Sequence, residues 1–368
     1  MTDRLRFAPL PAALPATVPF TGPETLELRR GAPFAARLGA NENGFGPSPR
    51  AIAAMRSADA EIWKYGDPDN RELRLALAAH HGVAPENIMI GEGIDGLLGL
   101  LVRLTVAEGD VVVTSEGGYP TFNYHVTGFG GVLSKVPYRN DAEDPDALIA
   151  RAEETAARLI YFANPDNPMA SWHPASRVEA MIAAVPSGSL LVLDEAYAEF
   201  APQEAIPEVD PEDERVIRFR TFSKAYGMAG ARVGYAIGPK RLIAGFDRIR
   251  NHFGMNRSAQ IGALAALEDQ AWLRETVSKV RIARDQIGAI ARKHGLAALP
   301  SATNFVAIDC GRDGDFARRV LAGLAEQGIF ARMPGVAPQD RCIRVSCGPK
   351  SELESFDTAL GVVLAGLD

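Results

Sequence analysis

The run Leu190-Leu191-Val192-Leu193 is apolar at every position and stops at Asp194. A strand with one wet face alternates polar and apolar side chains, so four apolar residues in succession require cover on both faces. The run at 159–162 reads the same way. Segments with helical periodicity at 49–56, 71–81 and 95–104 lie among further apolar strands expected at 87–90, 110–114, 216–222 and 233–237. This alternation predicts an α/β fold with a mainly parallel sheet flanked by helices. A long helical stretch at 272–293 then leads into a second region. Strands at 305–308, 328–331 and 343–345 and a closing helix at 351–364 make that region a smaller α+β domain. The expected division is 1–46 for an N-terminal arm and small-domain segment, 47–255 for the large domain and 256–368 for the small C-terminal domain. The Pro- and Ala-rich residues up to about Arg30 read as an extended arm.

The 368 residues suffice for two such domains, and 47% hydrophobic with 23% charged residues is ordinary for a globular enzyme. A formal net charge of -7, with no Lys/Arg run, argues against nucleic acid as a partner. Cys310, Cys342 and Cys347 have no C-x-x-C spacing, and the adjacent His80 and His81 point to different sides of a helix. Neither a disulfide framework nor a metal site is expected. The first twenty residues lack an apolar segment behind a basic start, and no apolar run reaches membrane-spanning length. These features predict no membrane association and a cytoplasmic protein.

Chemistry concentrates at 221–232, Thr-Phe-Ser-Lys-Ala-Tyr-Gly-Met-Ala-Gly-Ala-Arg, between two strand-like runs. In an α/β protein, the loop leaving a strand end is where ligands bind. Lys224 lies there among small and hydroxylated neighbours. A partly desolvated lysine has a lowered pKa and suits Schiff-base formation. Ser223 and Arg232 look like a cradle for a phosphate. Alone, Lys224 also reads as a surface lysine beside a glycine-rich turn.

Asp194 at the end of a buried strand is costly to desolvate without a cationic partner, and a protonated ring nitrogen is such a partner. It also reads as a cap for a following helix. Tyr197 and Asn167 are placed to donate to a ring oxygen, although Asn164 to Pro168 alone reads as a proline-rich turn. Gly91-Glu92-Gly93-Ile94-Asp95 follows a strand and opens a helix, a pattern that serves as an anion site or as a plain turn. Phe122 is suited to stacking on a flat ring and equally to a core. A lysine for a carbonyl, a cradle for a phosphate and a carboxylate for a ring nitrogen are the parts that hold pyridoxal phosphate.

These segments occur in one order along the chain, and the whole resembles the fold-type I pyridoxal-phosphate aminotransferases, in their histidinol-phosphate aminotransferase-like branch. The marks are Ala40-Asn41-Glu42-Asn43 with Gly46-Pro47-Ser48-Pro49, Tyr65-Gly66-Asp67-Pro68, and Asp194-Glu195-Ala196-Tyr197. The Ser223–Arg232 motif and Ile343-Arg344-Val345-Ser346-Cys347-Gly348 complete them. The resemblance implies that Lys224 holds the cofactor covalently, Asp194 faces its ring nitrogen, Tyr197 and Asn167 hold its ring oxygen, and Phe122 stacks on it. Ser223, Arg232, Thr221 and the backbone around Ile94 and Asp95 would bind its phosphate. Tyr65 would be lent to the neighbouring subunit of a homodimer. Arg344, helped by Arg332, would clamp the anionic end of the substrate, with Asn43 and Phe20 beside it.

The implied reaction moves an amino group between a small-molecule amino donor and a 2-oxo acid acceptor such as 2-oxoglutarate. An aminotransferase acting on aromatic or other amino acids, or a phosphothreonine-decarboxylase-like enzyme, is the alternative. Three departures bear on the substrate. Phe20 stands where many relatives have a tyrosine, Met169-Ala170 replaces Thr-Gly, and Glu92 and Ile94 replace asparagine and serine.

Overall fold

The protein is described here from a computed structural model covering residues 6–16 and 21–367. Twelve strands run through the described residues, the first being β1 (Ala36–Arg37). Seven follow in one stretch of chain: β2 (Ile88–Gly91), β3 (Val111–Ser115), β4 (Val132–Val136), β5 (Leu159–Ala163), β6 (Leu190–Asp194), β7 (Val216–Thr221) and β8 (Gly234–Ile237). They form one sheet in the order β2-β8-β7-β6-β5-β3-β4. Strand β8 runs antiparallel to both β2 and β7; the other pairings are parallel.

The fully apolar strands have the cover that their composition requires. Leu191, Leu193 and Ile160 pack on one side with Val178 and Met181, while Val192, Tyr161 and Phe219 pack on the other with Leu97, Leu101 and Phe122. Because only β8 is reversed, its first residue, Gly234, lies at the same sheet edge as the carboxyl ends of β2, β3, β5, β6 and β7. Every loop leaving those strands therefore opens on one edge, the place where α/β sheets bind ligands.

The remaining strands are β9 (Ala297–Ala298), β10 (Phe305–Asp309), β11 (Ile329–Phe330) and β12 (Cys342–Ser346). They form a three-stranded antiparallel sheet, β12-β10-β9, and a parallel pair, β1-β11. Helices Gln270–Lys293, Gly314–Glu326 and Lys350–Ala365 cover them, burying Ile287, Val320 and Phe356 in a second core.

One expectation is corrected. The N-terminal residues are not a uniformly extended arm: Pro9–Ala13 and Pro23–Arg30 are helical. Proline at the first helical position is pre-organised for that conformation, and Gly31, at φ 75°, ends the second helix in the left-handed region. The expected division at 255/256 assigns the next helix to the C-terminal domain. Helix Arg257–Glu268 buries Ala259, Ala263 and Ala266 with Leu73, Leu77 and Ala51, so it packs with the region carrying the seven-stranded sheet. Among the described residues no helix is long and apolar enough to cross a membrane.

Candidate active site

A cavity of about 760 Å³ opens at the carboxyl edge of the large sheet, between it and the C-terminal region. Lys224 enters from the loop after β7. Its Nζ donates to the Asn41 carbonyl at 3.2 Å and lies 5.6 Å from the centre of the Tyr197 ring. Burial, followed by the positive charges of Arg344 and Arg232, brings its pKa down to about 8. An amine near neutrality is the form that attacks a carbonyl. The loop is clamped from the N-terminal side. Asn43 Nδ2 donates to the carbonyls of Lys224 and Ala225 at 3.1 and 3.2 Å. Gly227, at φ 69°, lies so close to the backbone at Gly46 that a Cβ would sit 2.6 Å from its carbonyl carbon.

Asp194 ends β6 and is 5% exposed. Its Oδ2 accepts from the Tyr161 hydroxyl at 2.6 Å and its Oδ1 from the Ala196 N–H at 2.9 Å. Burial raises its pKa, and no ion pair to it occurs among the described residues. A carboxylate held this way at a cavity wall favours an incoming cation. Its neighbour Glu195 faces away from the cavity. Burial opposes the Glu195 charge, but Arg218 and Arg220 hold its carboxyl down at about 2.

The third group is an anion cradle. Helix Gly93–Thr105 points its N-terminus at the cavity, lined there by Ile94 and Asp95. The first N–H groups of a helix have no intrahelical acceptor and favour negative charge. A Cβ on Gly234 would sit 2.6 Å from the Ile94 nitrogen, and one on Gly93 would sit 2.4 Å from an Arg232 Nη. The Ile94 backbone requires glycine at 234, and Gly93 holds φ 77°, which favours glycine there. Arg232 Nη1 donates to Ser223 Oγ at 3.4 Å, and Thr221 Oγ1 accepts from the Ser223 N–H at 3.0 Å. His125 lies 2.8 Å from the Asp95 carboxylate.

Opposite these groups stands Arg344, on β12. Its Nη1 donates to Asn167 Oδ1 at 2.5 Å, its Nη2 to the Gly39 carbonyl at 3.4 Å, and its buried Nε has no partner. Burial and the nearby Arg332 charge lower its pKa to about 10, so it stays cationic at neutral pH. Arg332 also lines the cavity, and its backbone exchanges both hydrogen bonds with that of Arg344, at 3.2 and 2.6 Å.

Not every expected residue reaches the cavity. Phe122 is fully buried and stacks on Tyr161 with ring centres 4.6 Å apart. On helix Pro120–Gly128 it shares a face with Val126, toward the core. Tyr119 and Asn123, one helical turn apart, are the ones turned to the cavity. Asn43 is buried beneath the lysine loop instead of lining the cavity, because both of its amide hydrogens are taken by backbone carbonyls. Tyr65 is exposed against Phe253, outside the cavity of its own chain. Phe20 lies outside the described residues. Tyr161, Tyr119 and Asn41 complete the site without having been singled out. A hydroxyl within the apolar run Leu159–Ala163 was the available signal for Tyr161.

A buried carboxylate without a cation, a helix N-terminus beside an arginine and two obligatory glycines, and a near-neutral amine fit the ring nitrogen, phosphate and aldehyde of pyridoxal phosphate. Comparison with known proteins agrees. The model for "Aminotransferase class I and II" matches residues 36–360. Histidinol-phosphate aminotransferase 1 of Mesorhizobium japonicum is 37% identical over 89% of this chain and 90% of its own length. The Moorella thermoacetica histidinol-phosphate aminotransferase is 34% identical over 89% and 85%. The crystal structure of histidinol-phosphate aminotransferase from Sinorhizobium meliloti in complex with pyridoxal-5'-phosphate superposes with a TM-score of 0.96 at 53% identity, over all of both chains. This chain belongs to the class I and II aminotransferases, as a pyridoxal-phosphate-dependent transaminase of the histidinol-phosphate aminotransferase-like branch.

Proposed function

We propose that this chain moves the amino group of histidinol phosphate to a 2-oxo acid such as 2-oxoglutarate, and that it does so in the cytoplasm as a homodimer. The observation that carries the reading is Arg344, a buried arginine with an unpartnered Nε that lines the same cavity as Lys224. A planar fork of this kind suits both phosphate and carboxylate, the anionic ends of the donor and the acceptor. The names of the relatives support the donor, and three buried, unbridged thiols support the location.

The bound cofactor supplies an electron sink for the bond made and broken at the substrate Cα. Asp194 would keep the ring nitrogen protonated, with Tyr161 and the Ala196 N–H fixing the carboxylate. Arg232, Ser223 and the N–H groups of Ile94 and Asp95 would hold the phosphate, supported by Thr221. Tyr197 and Asn167, which line the cavity, would hold the ring oxygen, and Tyr119 would take the stacking role expected of Phe122. Nζ of Lys224, when free, would take up the proton leaving the substrate Cα. A pKa near 8 lets it both accept and return that proton close to neutral pH. Arg344 orients the substrate by its anionic end.

A panel of amino donors with 2-oxoglutarate as acceptor tests the substrate. Histidinol phosphate is expected to give the highest kcat/KM with ping-pong kinetics. Higher values for aromatic amino acids would replace the donor, and carbon dioxide release without an acceptor would replace the reaction. Exposed Ile62, Trp63, Tyr65 and Phe253 support the dimer as an apolar face for a second copy. Mixing Lys224→Ala with Tyr65→Ala subunits should restore about a quarter of the sites if hybrids form at random and Tyr65 acts across the interface. No restored activity would remove the shared site.

A further inference from the structure

The cavity wall between Arg332 and Arg344 is a segment with little hydrogen bonding of its own. Met333, Pro334, Gly335 and Val336 line the cavity, and a Cβ on Gly117 would sit 3.3 Å from that of Val336. The segment therefore lies against the loop that follows β3, in the other half of the molecule. One end is fixed by the Arg332–Arg344 backbone pair. At the other end, past Pro338, Arg341 makes a two-sided attachment. Its Nη1 and Nη2 donate to Asp141 Oδ1 and Oδ2 at 3.0 and 2.8 Å, and its Nε donates to Asp309 Oδ2 at 2.7 Å.

Asp309 ends β10, so that contact stays within the C-terminal region. Asp141 belongs to the other half, between β4 and helix Pro145–Thr155. It occupies a two-residue turn with Asn140, at φ 52° and 62°, closed by hydrogen bonds between Arg139 and Ala142. Such a turn presents a short polar side chain at a fixed angle. The carboxylate and guanidinium are each 25% exposed and meet as a bidentate fork, which makes the pair stronger than an ordinary surface ion pair.

We propose that Asp141 and Arg341 are positioning residues that pin the 333–338 segment across the cavity, fixing the wall that Met333 and Val336 present to substrate. The kinetic consequence rests on the transaminase reading; the pinning itself does not. Without Asp141 the segment stays attached to the C-terminal region through Asp309 and β12 but loses its tie to the sheet-side half, so it would sample positions that leave the substrate-binding state partly populated, which weakens binding more than chemistry.

The test uses the holoenzyme. Asp141→Asn removes the charge while keeping a residue that tolerates the left-handed backbone, so the turn should survive. Amide hydrogen exchange at Met333, Gly335, Val336 and Ala337 should accelerate while the seven-stranded sheet is unchanged. KM for donor and acceptor should rise roughly three- to ten-fold with kcat little altered. Arg341→Met should act in the same direction, and the double variant should do no more than Arg341→Met alone, since the pair acts as a unit. Borohydride labelling of Lys224 should persist in all three. Unchanged exchange at 333–337, an unmoved KM, or single effects that multiply in the double variant would each overturn the proposal. If the wild type transaminates no donor, the Proposed function fails, and the exchange measurement alone decides whether the pin exists.

Discussion

The sheet-side wall of the cavity comes from strand ends, whereas the opposite wall comes from Arg332, Arg344 and the segment between them. On the first wall, Asp194 ends β6, and Lys224 and the helix start at Gly93 come shortly after β7 and β2, so the sheet sets where their backbone lies, with Asn41 and Asn43 clamping the lysine loop. On the second wall, Arg344 is aimed by Asn167 and Gly39, partners 177 and 305 residues away. One wall is thus positioned by local geometry and the other by long-range contacts. The locally built wall is proposed to hold the cofactor, which stays, and the other to hold substrates, which must come and go.

Lys224→Ala should have the largest effect. Loss of both the covalent anchor and the proton carrier should lower kcat on the order of 10⁴-fold, and borohydride reduction should then leave no pyridoxyl label on peptide 221–232. A label on another lysine would move the chemistry off the sheet edge. Asp194→Asn should retain the cofactor but lower kcat by about 10²-fold, because an amide cannot keep a ring nitrogen protonated. Near-normal turnover would reduce Asp194 to a capping residue.

Arg344→Lys probes the other wall. It keeps the charge but loses the fork, so kcat/KM should fall roughly ten-fold, chiefly through KM. Equal losses for Asp194→Asn and Arg344→Lys in kcat alone would erase the distinction between the walls. Phe122→Leu should matter least for activity. It should cost about 1 kcal/mol of stability in a denaturant titration and leave kcat within a factor of about two. A large loss of cofactor affinity in that variant would restore Phe122 to the site.

The same difference explains what the chain revealed before its structure. Strand periodicity and abrupt strand ends brought Asp194, Lys224, Arg232 and the glycine turn to the sheet edge, where the structure has them lining one cavity, because a strand end is marked by the residues immediately before it. Tyr119 was not identified, because the choice between it and Phe122 depends on how helix Pro120–Gly128 is rotated about its axis, which its core contacts decide. Asn43 was correctly tied to the site region by its motif but misassigned in role, because its carbonyl partners lie 181 and 182 residues away. The position of helix Arg257–Glu268 was missed for the same reason. Its small residues carry no mark of which core they join. Asp141 and Arg341 escaped notice because a charged pair 200 residues apart has no signature along the chain.

The clamp beneath Lys224 also orders events during synthesis. Asn41, Asn43 and Gly46 leave the ribosome well before Lys224, and Asn41 then awaits the Ser346 hydroxyl that its N–H meets at 3.0 Å across 305 residues. Contacts of such separation close late. A nascent chain stopped short of β12 can hold every strand of the seven-stranded sheet and the Asn43 clamp on the lysine loop, but it still lacks Arg344 and the Ser346 tie to Asn41. The substrate-facing wall, which needs Arg344 on β12, is therefore the last part of the cavity to be completed during translation.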